Sequence, residues 1–209
     1  MPAAPPRPAL RPRYDRRRRE IADAAAHVFA ERGYHATSVA ALLEETGLTA
    51  GALYHYVASR DDLLVAICDE LLDPLLERAE EIAAAQRAEP PLERLRELLH
   101  AWLEHIAAHL DHMRVFQQER HVIEREPQWG DIRAKRLQFE RILDGLLAQC
   151  EQDGSLTVDD RRLALLALLG MVNYTSTWYR GGGRLRPRQI ADGYHDMLVS
   201  AYRPRGESR

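Results

Sequence analysis

TGLTAGALYHYVASRDDLL, Thr46 to Leu64, is the stretch whose reading decides the fold. It opens on Gly47, which ends whatever helix precedes it, and Thr49 follows as an N-cap for a short helix from about Ala50 to Tyr56. Ser59 then caps another helix, with Asp61 and Asp62 in a first turn where the helix dipole favours anions. Upstream, Thr37 or Ser38 caps a short helix with Val39, Leu42 and Leu43 facing inward. Two short helices joined by a turn containing Gly are a helix-turn-helix pattern. In that motif the second helix enters the major groove N-terminus first. Ala50 and Gly51 keep that end small enough for close approach. Leu53 and Val57 hold it to the first helix, and Tyr54 and His55 reach phosphates or base edges. Arg60 starts the next helix, where its charge and free backbone N–H groups suit a phosphate.

Upstream of this stretch, Ile21, Ala24, Ala25, Val28 and Phe29 form one face of a first helix, ended by Gly33. Residues 1–19 carry Arg7, Arg11, Arg13, Arg16, Arg17, Arg18 and Arg19 against Asp15 alone, about +6 in a chain of net charge -3. A basic arm on an acidic body points to a polyanion. Five prolines among residues 1–12 predict disorder, so residues 1–14 are read as a disordered basic arm and 15–60 as the DNA-binding domain.

Residues 61–209 read as longer amphipathic helices near 60–86, 91–110, 112–124, 129–152, 159–180 and 187–202, with no alternating strand pattern. Pro90-Pro91, Glu126-Pro127, Asp153-Gly154 and Gly181–Gly183 supply the breaks. The fold class is all-α, with about nine helices. The helix at 159–180 is apolar nearly all round, which requires cover on several sides and points to a dimer interface shared with the last helix.

Other chemistries find little support. Cys68 and Cys150, the only cysteines in 209 residues, form neither a disulfide framework nor a zinc spacing. The N-terminus is no signal peptide, and the longest apolar run, Leu163–Val172, is about half a membrane span. These features predict a cytoplasmic protein with no membrane association. No G-x-S-x-G, G-x-G-x-x-G or P-loop occurs, so no catalytic residue and no cofactor is assigned. His105 and His109 lie four apart on one helix face, a metal-capable spacing, but no hydrolase signature accompanies them and no metal ligand is assigned.

Ala25–Leu64, AAHVFAERGYHATSVAALLEETGLTAGALYHYVASRDDLL, resembles the DNA-binding segment of the TetR family of bacterial transcriptional regulators. Phe29-Ala30, Gly33-Tyr34, Thr37-Ser38-Val39, Gly47-Leu48-Thr49, Leu53-Tyr54 and Ser59–Leu63 carry the likeness. The resemblance implies a homodimer on a palindromic double-stranded DNA operator, released by a small molecule. It implies Thr37 and Ser38 at phosphate, Thr49, Ala50, Gly51 and Tyr54 at bases or adjoining backbone, and His55, Tyr56 and Arg60 at phosphates. Ala40 and Ala50 stand where family members often carry long polar residues, which removes bidentate base contacts. Arg16 to Arg19 then supply salt-dependent affinity, with entry into a minor groove as one route.

Thr175–Leu185, TSTWYRGGGRL, and His109–Arg120, HLDHMRVFQQER, are similar to a branch of the family that responds to acyl-coenzyme A thioesters. That likeness implies an effector region including Trp102, Ile106, His109, Met113, Phe116, Arg120, Tyr174, Trp178 and Arg180. Apolar members would line an acyl tunnel, and arginines would meet the coenzyme A phosphates. The alternatives are a repressor answering to lipophilic drugs or aromatics, and a metal-dependent helical enzyme with an incidental helix-turn-helix.

Overall fold

The computed structural model describes residues 11–85, 89–125 and 127–202. Among them are ten α-helices, one 3-10 turn at Pro127–Trp129 and no strand, so the chain is all-α as the periodicity predicts. The helices are α1 (Arg11–Arg32), α2 (Val39–Thr46), α3 (Ala50–Tyr56), α4 (Arg60–Ala84), α5 (Pro91–Ala108), α6 (Leu110–Gln118), α7 (Arg120–Arg125), α8 (Gly130–Gln152), α9 (Arg161–Trp178) and α10 (Pro187–Tyr202). Two compact units emerge. The first takes the described residues up to Leu72 together with Leu110–Arg133, and the second takes Asp73–His109 and the described residues from Ala134.

In the first unit, α1 packs against α2, α3 and α6. Ile21, Ala25, Phe29, Leu42, Leu53 and Val57 are buried, as the 3.6-residue spacing requires, whereas Val39, expected to face inward, is exposed at the first position of α2. The short helices are defined by local chemistry. Ser38 accepts from the Ala41 amide at 3.2 Å and Thr49 from the Ala52 amide at 3.3 Å. Gly47 ends α2 at φ 63, a left-handed conformation that other residues adopt only with strain.

Three boundaries differ from the sequence reading. Residues 1–10 of the expected disordered arm lie outside the described residues, but Arg11–Tyr14 already belong to α1. Pro12 sits in the first turn, where a missing N–H leaves no intrahelical bond unmade. The single helix expected over 112–124 is two, broken at Glu119 without glycine or proline. The Glu119 carboxylate is buried, 3.4 Å from the exposed His35 imidazole. Lastly, the unit carrying the helix-turn-helix extends past residue 60 and recruits 110–133, because α6 lies along α1.

In the second unit, α5 packs on α10 and α9. Trp102 meets Phe139 edge to face at 4.7 Å between ring centroids, and Leu98, Leu99, Leu143 and Leu168 are buried in the same unit. Arg94 is almost fully buried (2% exposed) and donates to the Ala83 carbonyl at 3.2 Å, the Glu89 carbonyl at 3.3 Å and the Gln149 side chain. It thereby satisfies a carbonyl of the last turn of α4. The polar edge of α5 is matched to α10: Arg96 and His100 both meet Asp192, at 2.9 and 2.7 Å, and Arg188 meets Glu104 at 2.8 Å.

Candidate nucleic-acid interface and effector region

The exposed side of the helix-turn-helix is formed by Ser38, Val39, Ala40, Thr49, Ala50, Gly51, Tyr54 and His55. Ala50 and Gly51 open α3 with no bulk above the backbone, and nothing lies within 4 Å of a Cβ built on Gly51. Tyr54 is half exposed and projects from the middle of α3. Leu53 and Val57, on the opposite side, are each 2% exposed.

Three of the expected phosphate contacts have duties inside the unit. Thr37 is buried and its hydroxyl donates to the Gly33 carbonyl at 2.8 Å, closing the end of α1. Arg60 donates to the carbonyls of His35 and Thr37 at 3.3 and 3.2 Å, and its guanidinium lies 4.6 Å from the centroid of the Tyr34 ring. Tyr34 donates a short hydrogen bond to Asp61; burial first and that carboxylate second push its phenol far above the ordinary range. Tyr56 is half-buried and packs on Tyr14 at 5.1 Å.

Arg16 to Arg19 lie on a helix, so successive side chains diverge by about 100° and only some can face one surface. Arg17 meets Glu20 at 2.7 Å and Arg16 meets it at 3.8 Å. Hydrogen bonding to Arg17 holds the Glu20 carboxyl below its usual value. Tyr14 ties this basic helix start to the reading helix, donating to the His55 carbonyl at 3.4 Å with its ring 5.9 Å from the His55 ring. Sequence reasoning missed Tyr14 and Tyr34. A lone buried-type aromatic within a run of arginines was the available signal for the first.

The expected effector residues fall into both units. Met113 and Phe116 are buried in the first, where Arg120 is exposed and 3.8 Å from Glu124. Trp102 and Ile106 are buried in the second, and His109 caps α5 with its Nδ1 3.0 Å from the His105 carbonyl. Tyr174 and Trp178 are exposed on α9 at 66% and 44%. Arg180 is exposed, donating to the Thr177 and Tyr179 carbonyls at the end of that helix. His195, on α10, is buried and neither ring nitrogen has a hydrogen-bond partner among the described residues. Its position among apolar residues of α10 gave no sign of this.

Residues 21–67 match the family model described as bacterial regulatory proteins, tetR family, and residues 88–202 match the tetracyclin repressor-like C-terminal domain. The HTH-type transcriptional repressor KstR2 of Mycobacterium tuberculosis is 29% identical over 191 residues, 91% of this chain and 94% of the relative. The solved structure of that ketosteroid transcriptional regulator superposes with a TM-score of 0.82, covering 90% of this chain and 95% of the other. PfmR from Thermus thermophilus, 30% identical, gives a TM-score of 0.77 over 90% and 99%. AibR, solved with isovaleryl coenzyme A and operator DNA, is 27% identical and gives 0.74 over 88% and 98%. A helix-turn-helix with a capped, small-residue reading helix, followed by a helical body matched to the family's C-terminal domain, belongs to one kind of protein: this chain is a member of the TetR family of bacterial transcriptional regulators.

Proposed function

We propose that the chain is a dimeric repressor that binds a palindromic operator and leaves it when an acyl-coenzyme A thioester binds the helical body. The observation that carries the reading is the exposed start of α3 in a family member whose relative AibR was solved with both isovaleryl coenzyme A and operator DNA. The regulation of fatty-acid metabolism by a 26% identical relative from Bacillus subtilis points the same way.

Thr49, Ala50, Gly51 and Tyr54 face the bases, where Ala50 offers a methyl to thymine and Tyr54 a hydroxyl. Ser38 and His55 meet phosphates, with Arg16 to Arg19 adding charge. Thr37, Tyr56 and Arg60 act from the interior, holding α2 and α3 at the angle that the groove requires. The dimer forms through α9 and α10. Leu163, Leu166, Tyr174 and Trp178 on α9 and Met197 on α10 leave large apolar side chains exposed in one protomer, and Ala167 and Gly170 between them admit close helix approach. Two reading heads then sit one DNA turn apart, roughly 34–36 Å. An effector that prefers a different dimer lowers operator affinity by linkage.

Trp102 and Ile106 supply apolar lining for an acyl group. Arg180, in the same unit, supplies a cation for phosphates. We infer further that the protein acts in the cytoplasm and catalyses no reaction; among the described residues no helix is long and apolar enough to cross a membrane. The ketosteroid regulation attributed to the mycobacterial relative favours a second effector class, a lipophilic ring compound.

The test combines two measurements. Operator DNA selected from a random pool is titrated by fluorescence anisotropy, and the complex is challenged with acyl-coenzyme A thioesters, the free acids, coenzyme A and steroids. Release by thioesters alone, graded with chain length and matched by a rise in Tm, is the expected result. Release by ring compounds alone selects the second reading. No selected DNA sequence would overturn both.

A further inference from the structure

We propose that Asp23, Glu70 and His112 form a site for one divalent transition-metal ion of the zinc type, joining α1, α4 and α6 inside the unit that carries the reading helix. The three residues come from three helices far apart in sequence. Their ligand atoms nevertheless lie within 4.8 Å of one another. The His112 Nε2 is 3.3 Å from an Asp23 carboxylate oxygen and 3.6 Å from a Glu70 oxygen. Ligands bound at 2.0–2.1 Å in a tetrahedron stand roughly 3.4 Å apart. The imidazole is already near that spacing from both acids, and the two carboxylates, within 4.8 Å of each other, need close by at most about 1.4 Å.

Burial is graded in a way that suits an ion. His112 is 5% exposed and sits on α6 among the buried Met113, Val115 and Phe116, a place where the helical pattern favours an apolar side chain. A buried imidazole there is fixed in direction by its packing. The Glu70 side chain is 19% exposed and that of Asp23 62%, so the cluster opens to solvent on one side. That opening gives the ion an entrance and leaves room for water as a fourth ligand.

The donor set selects the class of metal. One imidazole with two carboxylates suits zinc and its neighbours in the first transition row. Calcium and magnesium, which ask for six or more oxygens, are poorly served. Two negative charges balance the ion, and the neutral imidazole adds none. Because all three ligands must assemble, binding stabilises the packing of α1 on α4 and α6, the frame from which α2 and α3 are hung. A proton shared by His112 with the two acids would give similar distances without a metal, and the experiment separates the two.

The full-length protein is stripped with a chelator and titrated with zinc chloride by calorimetry and thermal shift. Cobalt chloride is added in parallel to read tetrahedral d–d absorption, with magnesium chloride as control. One zinc per protomer, a raised Tm and a cobalt band are expected. Asp23→Asn, an exposed and isosteric change, should leave the metal-free Tm in place while weakening zinc by more than the roughly 10–100-fold expected for an outer-shell partner. Glu70→Gln should act in the same direction. Stoichiometric binding that persists in both variants, binding lost instead in a His105→Gln/His109→Gln variant, or no binding at all overturns the site. None of these readouts involves operator or thioester, so a failure here is distinguishable from failure of the repressor reading.

Discussion

Ala25–Leu64 and the described residues from Pro91 to Tyr202 are both largely helical, yet they are held together differently. In the first, each helix end is fixed by a neighbour in sequence: Thr37 to Gly33, Ser38 to Ala41, Thr49 to Ala52 and Ser59 to Asp62. In the second, local caps such as Asp160 to Leu163 are joined by polar anchors spanning 55 to 96 positions, from Arg94 to Gln149 and from Asp192 to Arg96 and His100, against 27 between Tyr34 and Asp61 within the first. Local capping gives a small element whose geometry is tightly specified. Long-range anchoring gives a body whose shape depends on what packs where.

The sharpest way to break that contrast is Arg94→Ala. It removes the donor to Ala83 and Glu89 and leaves a buried gap, so urea denaturation should register a loss of about 3 kcal/mol. A loss below about 1 kcal/mol would mean that the long-range anchor is dispensable. Tyr14→Ala should cost about 2–3 kcal/mol, through its buried ring and its packing on Tyr56. It should also weaken operator binding more than its distance from α3's exposed face suggests. Ser38→Ala and Thr49→Ala should each cost about 1 kcal/mol, and their sum should be additive, since each cap serves its own helix.

Binding offers a gentler probe of the same region. Replacing Arg16 to Arg19 by glutamine should reduce the slope of log affinity against log salt by about 0.9 for each phosphate that is no longer neutralised. The reduction should fall short of the value for four phosphates, because Arg16 and Arg17 are shared with Glu20 and helical geometry spreads the four side chains. An unchanged slope removes this segment from the interface.

The smallest effect expected is a pH dependence. His27 on α1 meets Asp111 on α6 at 3.0 Å, and the hydrogen bond that the imidazole donates to the Asp111 carboxylate raises its pKa. The folded form therefore holds the proton more tightly than the unfolded chain. The contribution is complete below the unfolded value of about 6.5 and is lost as pH rises through the raised folded value. His27 is nearly half exposed, so solvent screening keeps the effect to roughly a few tenths of a kcal/mol. His27→Gln should abolish that pH dependence between about pH 6 and 8, leaving the wild-type high-pH stability unchanged.

Much of the reading head was legible because its chemistry is local. Thr49 as cap and Ala50–Tyr56 as helix follow from residue types within three positions of each other. The bounds of α10, Pro187–Tyr202, follow from a proline at the first turn and a regular apolar face. The break at Glu119 was not legible, because no residue there disfavours a helix. It arises where Glu119 turns inward beside His35 and Gln118 reaches the Ala30 carbonyl at 3.5 Å. The expectation of disorder fails at Arg11–Tyr14 for a related reason: composition extended the disordered arm to residue 14, while Tyr14 packs against His55 and Tyr56 of α3, a contact that only packing creates.

The effector residues mark the other limit. Tyr174 and Trp178 have the composition of a ligand lining, but their helix turns them outward, and the buried aromatics of the second unit include Trp102, Phe139 and Tyr179, with Trp102 packed on Phe139. Periodicity specifies that a helix has faces; it does not specify which face meets which neighbour. By itself the sequence determined the helical class, the capped turn that presents Ala50, Gly51 and Tyr54, and the family, since all three rest on interactions within a few residues. Tertiary structure alone decided that Arg60 and Thr37 turn inward to brace that turn, that Arg94 closes the end of α4, and that Asp23, Glu70 and His112 converge. Most of those partners stand well apart along the chain, and side-chain packing rather than local propensity brings them together.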